Sequence, residues 1–150
     1  MAGSALTVTV EGNPQMDLCE PYKVILDWTS ASGGTVSLAI ASTYATAQAA
    51  ISPALPQPSK LQGYIKSIET IPGEEGDKST SCPTASYDIT LDDAHGYDLA
   101  GGELADRSNS AAEKITAVDP IPIDDEITLS IANAGNSKKG RIILHIDPKP

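Results

Sequence analysis

Apolar and polar residues alternate with a period of two in six stretches of the chain. Successive side chains of a β-strand point to opposite faces of a sheet, so this alternation predicts strands with one face in a core and the other toward solvent. The apolar positions are Leu6, Val8 and Val10; Tyr22, Val24, Leu26 and Trp28; Val36, Leu38 and Ile40; Tyr87, Ile89 and Leu91; Ile127, Leu129 and Ile131; and Ile142, Leu144 and Ile146.

A seventh stretch, KLQGYIKSIETI at 60–71, is strand-like but changes phase. Leu61 and Ile65 share one phase, whereas Tyr64 and Ile68 share the other. One extra residue in a strand shifts the phase in this way, and glycine is common at such positions. The pattern therefore predicts a β-bulge near Gly63.

Residues 113–118, EKITAV, supply a short eighth strand, and turn-forming segments separate the strands. Glycine, proline and asparagine cluster at 30–34, 71–77, 119–125 and 133–140. These clusters predict turns, and the first, SASGG, predicts a tight hairpin that joins the second and third strands.

Eight short strands without a long amphipathic helix predict an all-β fold. We expect an antiparallel β-sandwich that forms one domain over residues 1–150. Eight strands in two sheets is the jelly-roll count, so a jelly-roll-like arrangement is expected. Spacing along the chain does not fix strand order, and an immunoglobulin-like order stays open.

One long proline-rich loop, STYATAQAAISPALPQP at 42–58, interrupts the strand pattern. The alanines of TYATAQAAI at 43–51 favour two helical turns, and the prolines at 53, 56 and 58 then exclude a helix and favour an extended path. Long ordered loops are often functional, so we predict a contact arm with Tyr44, Ile51 and Leu55 as partner-binding residues. The alternative is a loop that contacts no partner.

The composition narrows the classes of partner. The 150 residues carry a formal net charge of −10, with no Phe and one Trp. This strongly negative net charge argues against nucleic acid and against anionic membranes as partners, because both are themselves negatively charged. No stretch approaches the ~20 apolar residues that a spanning helix needs, and the N-terminus lacks a signal-peptide pattern.

The acidic residues cluster between 88 and 126, and the basic residues Lys138, Lys139 and Arg141 lie near the C-terminal end. A solvated acidic face is the simpler interpretation, and packing of an acidic end against a basic end is the alternative.

The segment DDAHGYD at 92–98 crowds acids around His95, but its spacing does not match a calcium loop, and a zinc site lacks nearby ligands. Cys82 and His95 form a conceivable catalytic pair, although SCPTA around Cys82 is typical of an ordinary strand entry. We expect no catalytic residues, metal or cofactor. Cys19 and Cys82 are interpreted as thiols, with a single disulfide left open.

Arg107 stands in this acidic neighbourhood, where its guanidinium can bind carboxylates through two hydrogen bonds. It is interpreted as an internal clamp, with an interface contact as the alternative. Asp98 and Arg107 complete the predicted partner-binding residues.

Four motifs follow one another over the C-terminal two-thirds of the chain. They are IKSIETIPG at 65–73, PTASYDITL at 83–91, GYDLAGG at 96–102 with Arg107 and Ser108 after it, and IANAGNSKKGRIIL at 131–144. Together they resemble small β-rich structural proteins of tailed-bacteriophage virions.

The resemblance implies a non-enzymatic virion component, made in the host cytoplasm. A capsid decoration, or cement, protein would bind the major capsid protein on the outer surface of the head and would itself be a homo-dimer or homo-trimer. A neck or tail component is the closest alternative. A carbohydrate- or receptor-binding sandwich is a further one, with Trp28, Tyr64 and Tyr97 as its candidate aromatic residues.

Overall fold

The computed structural model describes residues 5–11, 21–31, 36–39, 63–73, 81–93, 95–123 and 127–147. These residues form eight β-strands and no helix: β1 Ala5–Glu11, β2 Tyr22–Thr29, β3 Val36–Ala39, β4 Gly63–Pro72, β5 Asp88–Asp92, β6 Glu113–Ile123, β7 Thr128–Ala132 and β8 Lys139–Asp147. The predicted all-β fold with eight strands is therefore confirmed.

The strands form two antiparallel sheets. The larger sheet has the order β1-β2-β8-β4-β6, and the smaller has the order β3-β7-β5. From β3 onward, each strand lies in the opposite sheet from the strand before it in the chain. This arrangement is consistent with the predicted β-sandwich, whereas the jelly-roll order is not confirmed, because the sheets hold five and three strands.

One hydrophobic core lies between the sheets. In β8 every second residue is buried, as the alternating sequence predicts. The larger sheet contributes Leu26, Ile68 and Leu144, and the smaller contributes Leu91 and Leu129, all nearly inaccessible to solvent. Fully burying one such side chain stabilises the fold by roughly 1.5–3 kcal/mol, so the aliphatic residues can supply a core without phenylalanine.

Two aromatic rings join the layers. Trp28 of β2 and Tyr87, which directly precedes β5, lie with their ring centroids 5.7 Å apart. Both side chains are buried, as the phase of each strand predicts. Gly140 of β8 faces the indole so closely that an added Cβ would collide with the Trp28 ring. A glycine here makes room for the only tryptophan of the chain.

The predicted bulge exists, but it lies at Lys66 rather than near Gly63. The pairing of β4 with β8 shifts between Ile65 and Ser67, so that Ile65 and Ile68 both face the core. Gly63 is regularly paired with Ile123 instead. Its φ of +126° and its close approach to Ile146 explain why a glycine stands there.

Two predictions about turns are wrong. β2 and β3 do not form the predicted hairpin, because β2 pairs with β1 and β8 while β3 pairs with β7 in the other sheet. Residues 119–123 extend β6 rather than turn. Pro120 and Pro122 are tolerated there because β6 is an edge strand, where a missing N–H breaks no ladder on the outer side.

Candidate functional site

The crowded acids of the sequence form one loop, which we call the acidic loop and whose described residues are 93 and 95–107. It returns along β5 and covers the edge of that strand. The Leu99 N–H donates to Leu91 O at 2.8 Å, and the Arg107 N–H donates to Tyr87 O at 2.8 Å. The loop thus satisfies backbone groups that an edge strand would otherwise expose.

Leu104 anchors the acidic loop in the hydrophobic core and is fully buried, while Leu99 packs against that core. Both leucines therefore serve as apolar anchors of the acidic loop.

Asp93 organises the tip of the loop. Its Oδ1 accepts hydrogen bonds from the His95 N–H at 2.8 Å and the Tyr97 N–H at 3.0 Å. The Tyr97 N–H bond holds the pKa of Asp93 below its usual value, with a further contribution from the His95 N–H. This arrangement is a turn that a carboxylate closes on its own backbone.

Asp98 holds the middle of the loop. Its Oδ1 accepts from the Leu91 and Ala100 N–H groups, both at 3.1 Å, and its Oδ2 accepts from the Gly102 N–H at 2.8 Å. Gly102 has a φ of +87°, which glycine adopts at little cost. Both oxygens of this predicted contact residue are therefore engaged by the chain's own backbone.

Asp88 ties the loop to a second turn. Its Oδ1 accepts from the Asp106 N–H at 3.0 Å, and its Oδ2 accepts from Asn133 Nδ2 at 2.9 Å. Asn133 starts the turn before β8, which the sequence predicted. One carboxylate thus connects two loops that are distant in the chain.

Arg107 acts within the molecule. Its Nε and Nη2 donate to Ala105 O at 3.1 and 3.0 Å, and its Nη1 lies 3.7 Å from Glu113 Oε2. Only 14% of its side chain is exposed. These contacts agree with the internal clamp, although they leave the predicted partner contact untested.

Tyr97 stands out at the loop tip. It is 73% exposed and is the one large hydrophobic side chain that is exposed among the residues described. The hydrogen bonds of Asp93 fix the backbone beneath it. Of the other aromatic residues considered for sugar binding, Trp28 is buried and Tyr64 is half-buried.

The outer face of the larger sheet carries ion pairs. Arg141 binds both oxygens of Asp27, with Nε–Oδ1 at 2.6 Å and Nη2–Oδ2 at 3.2 Å. Glu69 lies 3.7 Å from Lys114 Nζ and 3.4 Å from His145 Nε2. His145 is therefore on the outer face, as its phase predicts, and Arg141 of the basic C-terminal end is paired within the molecule.

The remaining predicted contact residues, Tyr44, Ile51 and Leu55, lie outside the described residues together with the whole 42–58 segment and Cys19. The contact arm and the pairing of the cysteines stay predictions. Within the described ranges, no three His, Cys, Asp or Glu side chains are grouped so that they could hold a metal ion. No helix in that part of the chain is long and apolar enough to span a membrane.

Sequence reasoning missed a cavity of about 340 Å³ beside β6, lined in part by Glu103 and Asp119. The only sequence signals near it are the broken phase of 60–71 and the prolines at 120 and 122. Neither signal reports a volume, because the cavity depends on which strands become neighbours.

Comparison of the chain with protein-family models, with curated proteins and with solved structures finds no match.

Proposed function

We propose that this protein is a non-enzymatic structural component of a tailed-bacteriophage virion that decorates the outer surface of the head. It would bind the major capsid protein as a homo-dimer or homo-trimer. The proposal starts from the four sequence motifs, which resemble virion proteins of this kind. The sandwich fold is compatible with such a role, because a decoration protein needs a rigid scaffold with exposed loops.

The observation that carries the proposal is the internal bonding of the acidic loop. Asp88, Asp93 and Asp98 each bind backbone N–H groups, and Arg107 binds a backbone carbonyl. Carboxylates used in this way stabilise a preformed loop, and that loop presents Tyr97 to solvent. Exposed tyrosines on rigid supports are frequent energetic centres of protein interfaces.

The proposed mechanism is stabilisation by mass action. A protein that binds the assembled shell but not the separate subunits lowers the free energy of the shell. Binding by an oligomer bridges several shell subunits and gains avidity. A net charge of −10 suits the outside of the head better than the DNA-filled interior.

The test uses heads of the phage that encodes the chain, prepared with and without this protein. We expect saturable binding at on the order of hundreds of copies per head, as the symmetry of a shell requires. The decorated heads should withstand higher temperature and lower ionic strength. Tyr97→Ala should weaken binding, whereas Tyr64→Ala serves as a control on the half-buried tyrosine of the sheet.

Equal stability of stripped and decorated heads would refute the decoration role. A copy number of about six or twelve would instead assign the protein to the neck or tail, whose rings have that symmetry. The exposed Tyr97 also favours a third candidate, a carbohydrate-binding sandwich, because sugars stack on exposed aromatic rings. Absence of binding on a glycan array would remove that candidate.

A further inference from the structure

The cavity beside β6 lies between β4, β6 and the acidic loop. Its volume of about 340 Å³ falls at the lower end of the range for ligand pockets, roughly 300–1,000 Å³. The wall is mainly aliphatic and is formed by Ile65, Ile68, Ala100, Ile115, Ala117 and Ile121. The space therefore suits one aliphatic side chain or a small ligand.

The cavity results from the path of the backbone. Ile65 pairs with Ile121, and Ser67 pairs with Thr116, so Lys66 alone opposes the four residues 117–120. β6 therefore has three more residues than β4 between these pairs, and residues on both sides of this break line the cavity. Since a register break fixed by the pairs on both sides creates the space, the cavity exists before any ligand binds.

Two acidic side chains line the same cavity, Glu103 from the acidic loop and Asp119 from β6. Both residues are exposed, and neither carboxylate forms an ion pair with another residue that the structure describes. They differ in this from Asp93 and Asp98, whose oxygens bind the backbone of the loop. The aliphatic pocket thus has unneutralised negative charge beside it, which complements a cation.

β6 also offers a strand edge. It pairs with β4 on one side, and no described strand pairs with its other side. In residues 113–117 every second N–H group points to this open side, whereas Pro120 and Pro122 have no N–H group. An extended peptide can add to such an edge, and every second side chain of the added strand then points to the inner layer, where the cavity lies.

We propose that β6 and this cavity dock an extended segment of a partner protein. An aliphatic side chain of the segment fills the cavity, and a lysine or arginine two residues away pairs with Glu103 and Asp119. The inference rests on the proposed role as a protein-binding component, and it adds the surface and the chemistry of the partner.

The probe is the peptide acetyl-Thr-Lys-Thr-Leu-Thr-Lys-Thr-amide, titrated into the ¹⁵N-labelled full-length protein. We expect saturable shift changes centred on 113–121 and on Ala100 and Glu103. A peptide with alanine in place of the leucine should bind at least about tenfold more weakly, because the cavity is left unfilled. A peptide with glutamates for the lysines should not bind, since like charges would meet.

Two protein variants test the same contacts. Ala117→Leu fills the cavity, and Glu103→Gln with Asp119→Asn removes the charge; each should abolish saturable binding. Glu11→Gln, on the opposite edge strand, should leave binding unchanged. Thermal unfolding of every variant verifies that it is folded.

Unchanged binding by a folded Ala117→Leu or Glu103→Gln/Asp119→Asn variant would overturn the inference, as would shift changes that map elsewhere. Equally tight binding of butylammonium alone would also overturn it, because the strand edge would then contribute nothing. The head-binding assay separates the two proposals. Peptide binding without head binding refutes only the virion role, and head binding by variants that lose the peptide refutes only the docking site.

Discussion

Three backbone N–H groups converge on the carboxylate of Asp98, which makes this residue the main support of the acidic loop. Replacing it with alanine leaves those donors without their acceptor. Hydrogen bonds to a charged group contribute more than neutral ones, so we expect Asp98→Ala to lower the free energy of unfolding by about 1–3 kcal/mol. Urea unfolding measures this change.

Glu103→Ala is the matched control for Asp98→Ala. It removes the same charge from the same loop, but its carboxylate accepts no hydrogen bond from a described residue, so its effect should stay within about 0.5 kcal/mol. Asp98→Asn should fall between the two, because it keeps one acceptor oxygen. Equal effects of Asp98→Ala and Glu103→Ala would show that charge, not hydrogen bonding, governs the loop.

Tyr87 gives the molecule a pH dependence at the alkaline end. The pKa of its phenol is raised from 10.0 to about 12, mainly by burial and to a smaller extent by the nearby Glu113 carboxylate. The unfolded chain therefore loses this proton at lower pH than the folded chain. The stabilisation is complete below about pH 10 and is lost as the pH rises toward 12, by roughly 2–3 kcal/mol in all.

Tyr87→Phe isolates this contribution. Its urea midpoint should decline less steeply than that of the wild type between pH 10 and 12, although lysines titrate in both proteins. If the urea midpoints of the two proteins decline in parallel with pH, Tyr87 ionises in the folded protein as readily as in the unfolded one.

In the larger sheet, the sequence pattern identified individual strands but not the strands with which they pair. Alternation identified β2 and β8 because each buries every second residue against one core. It also indicated a bulge in β4, yet placed it near Gly63, because glycine often marks bulges. Gly63 has a positive φ and packs closely against Ile146 on β8. The local sequence pattern does not reveal that Ile146 is its neighbour.

The misjudged turn at 119–123 has a similar origin. Proline and aspartate predict a turn from local preference, but an edge strand tolerates proline on its outer side. The sequence specifies the residue types and not the edge position. The cavity beside β6 was not predicted for the same reason. It exists only because β4 and the acidic loop are neighbours of β6, and the sequence does not specify these neighbours.

The prolines of β6 have a testable consequence at this scale. Replacing Pro120 and Pro122 with valine would restore two backbone donors and raise the strand propensity of the edge. Exposed edges of this kind pair with other copies. We therefore expect the double variant to form larger species than the wild type in sedimentation velocity at equal concentration.

Thr116→Val is the control for Pro120→Val with Pro122→Val. It adds an apolar, β-branched side chain to the same strand without adding a donor, and should leave the distribution of species unchanged. If it associates as much as the double variant, the cause is hydrophobicity rather than the strand edge.

For the molecule as a whole, the sequence predicted the fold class but not the strand order. From β2 onward the chain changes sheet at every connection, and loop lengths alone do not distinguish this from a series of hairpins. The acidic loop shows the same limit for the site. Its composition suggested a ligand-binding site. In the structure its aspartate carboxylates instead accept hydrogen bonds from backbone N–H groups, whose positions cannot be read from the spacing of residues in the sequence.

The alternation of strands between the layers predicts that the two sheets unfold together. Trp28, the only tryptophan, lies in the larger sheet and contacts Tyr87 at the start of β5 in the smaller one. Its fluorescence therefore reports the packing between the sheets, whereas far-ultraviolet circular dichroism reports the strands themselves. Because successive strands after β2 belong to opposite sheets and share one core, neither sheet can form completely without the other.

We accordingly expect the two signals to follow a single urea transition with the same midpoint and slope. Tyr87→Phe should shift both signals equally if it lowers stability at all, since it acts on the shared core. A fluorescence midpoint at lower urea than the dichroism midpoint would mean that the layers separate while strands persist. In that case the sandwich would be two cooperative units held by a weak interface, and the acidic loop, which is bonded to β5, would unfold with the smaller sheet.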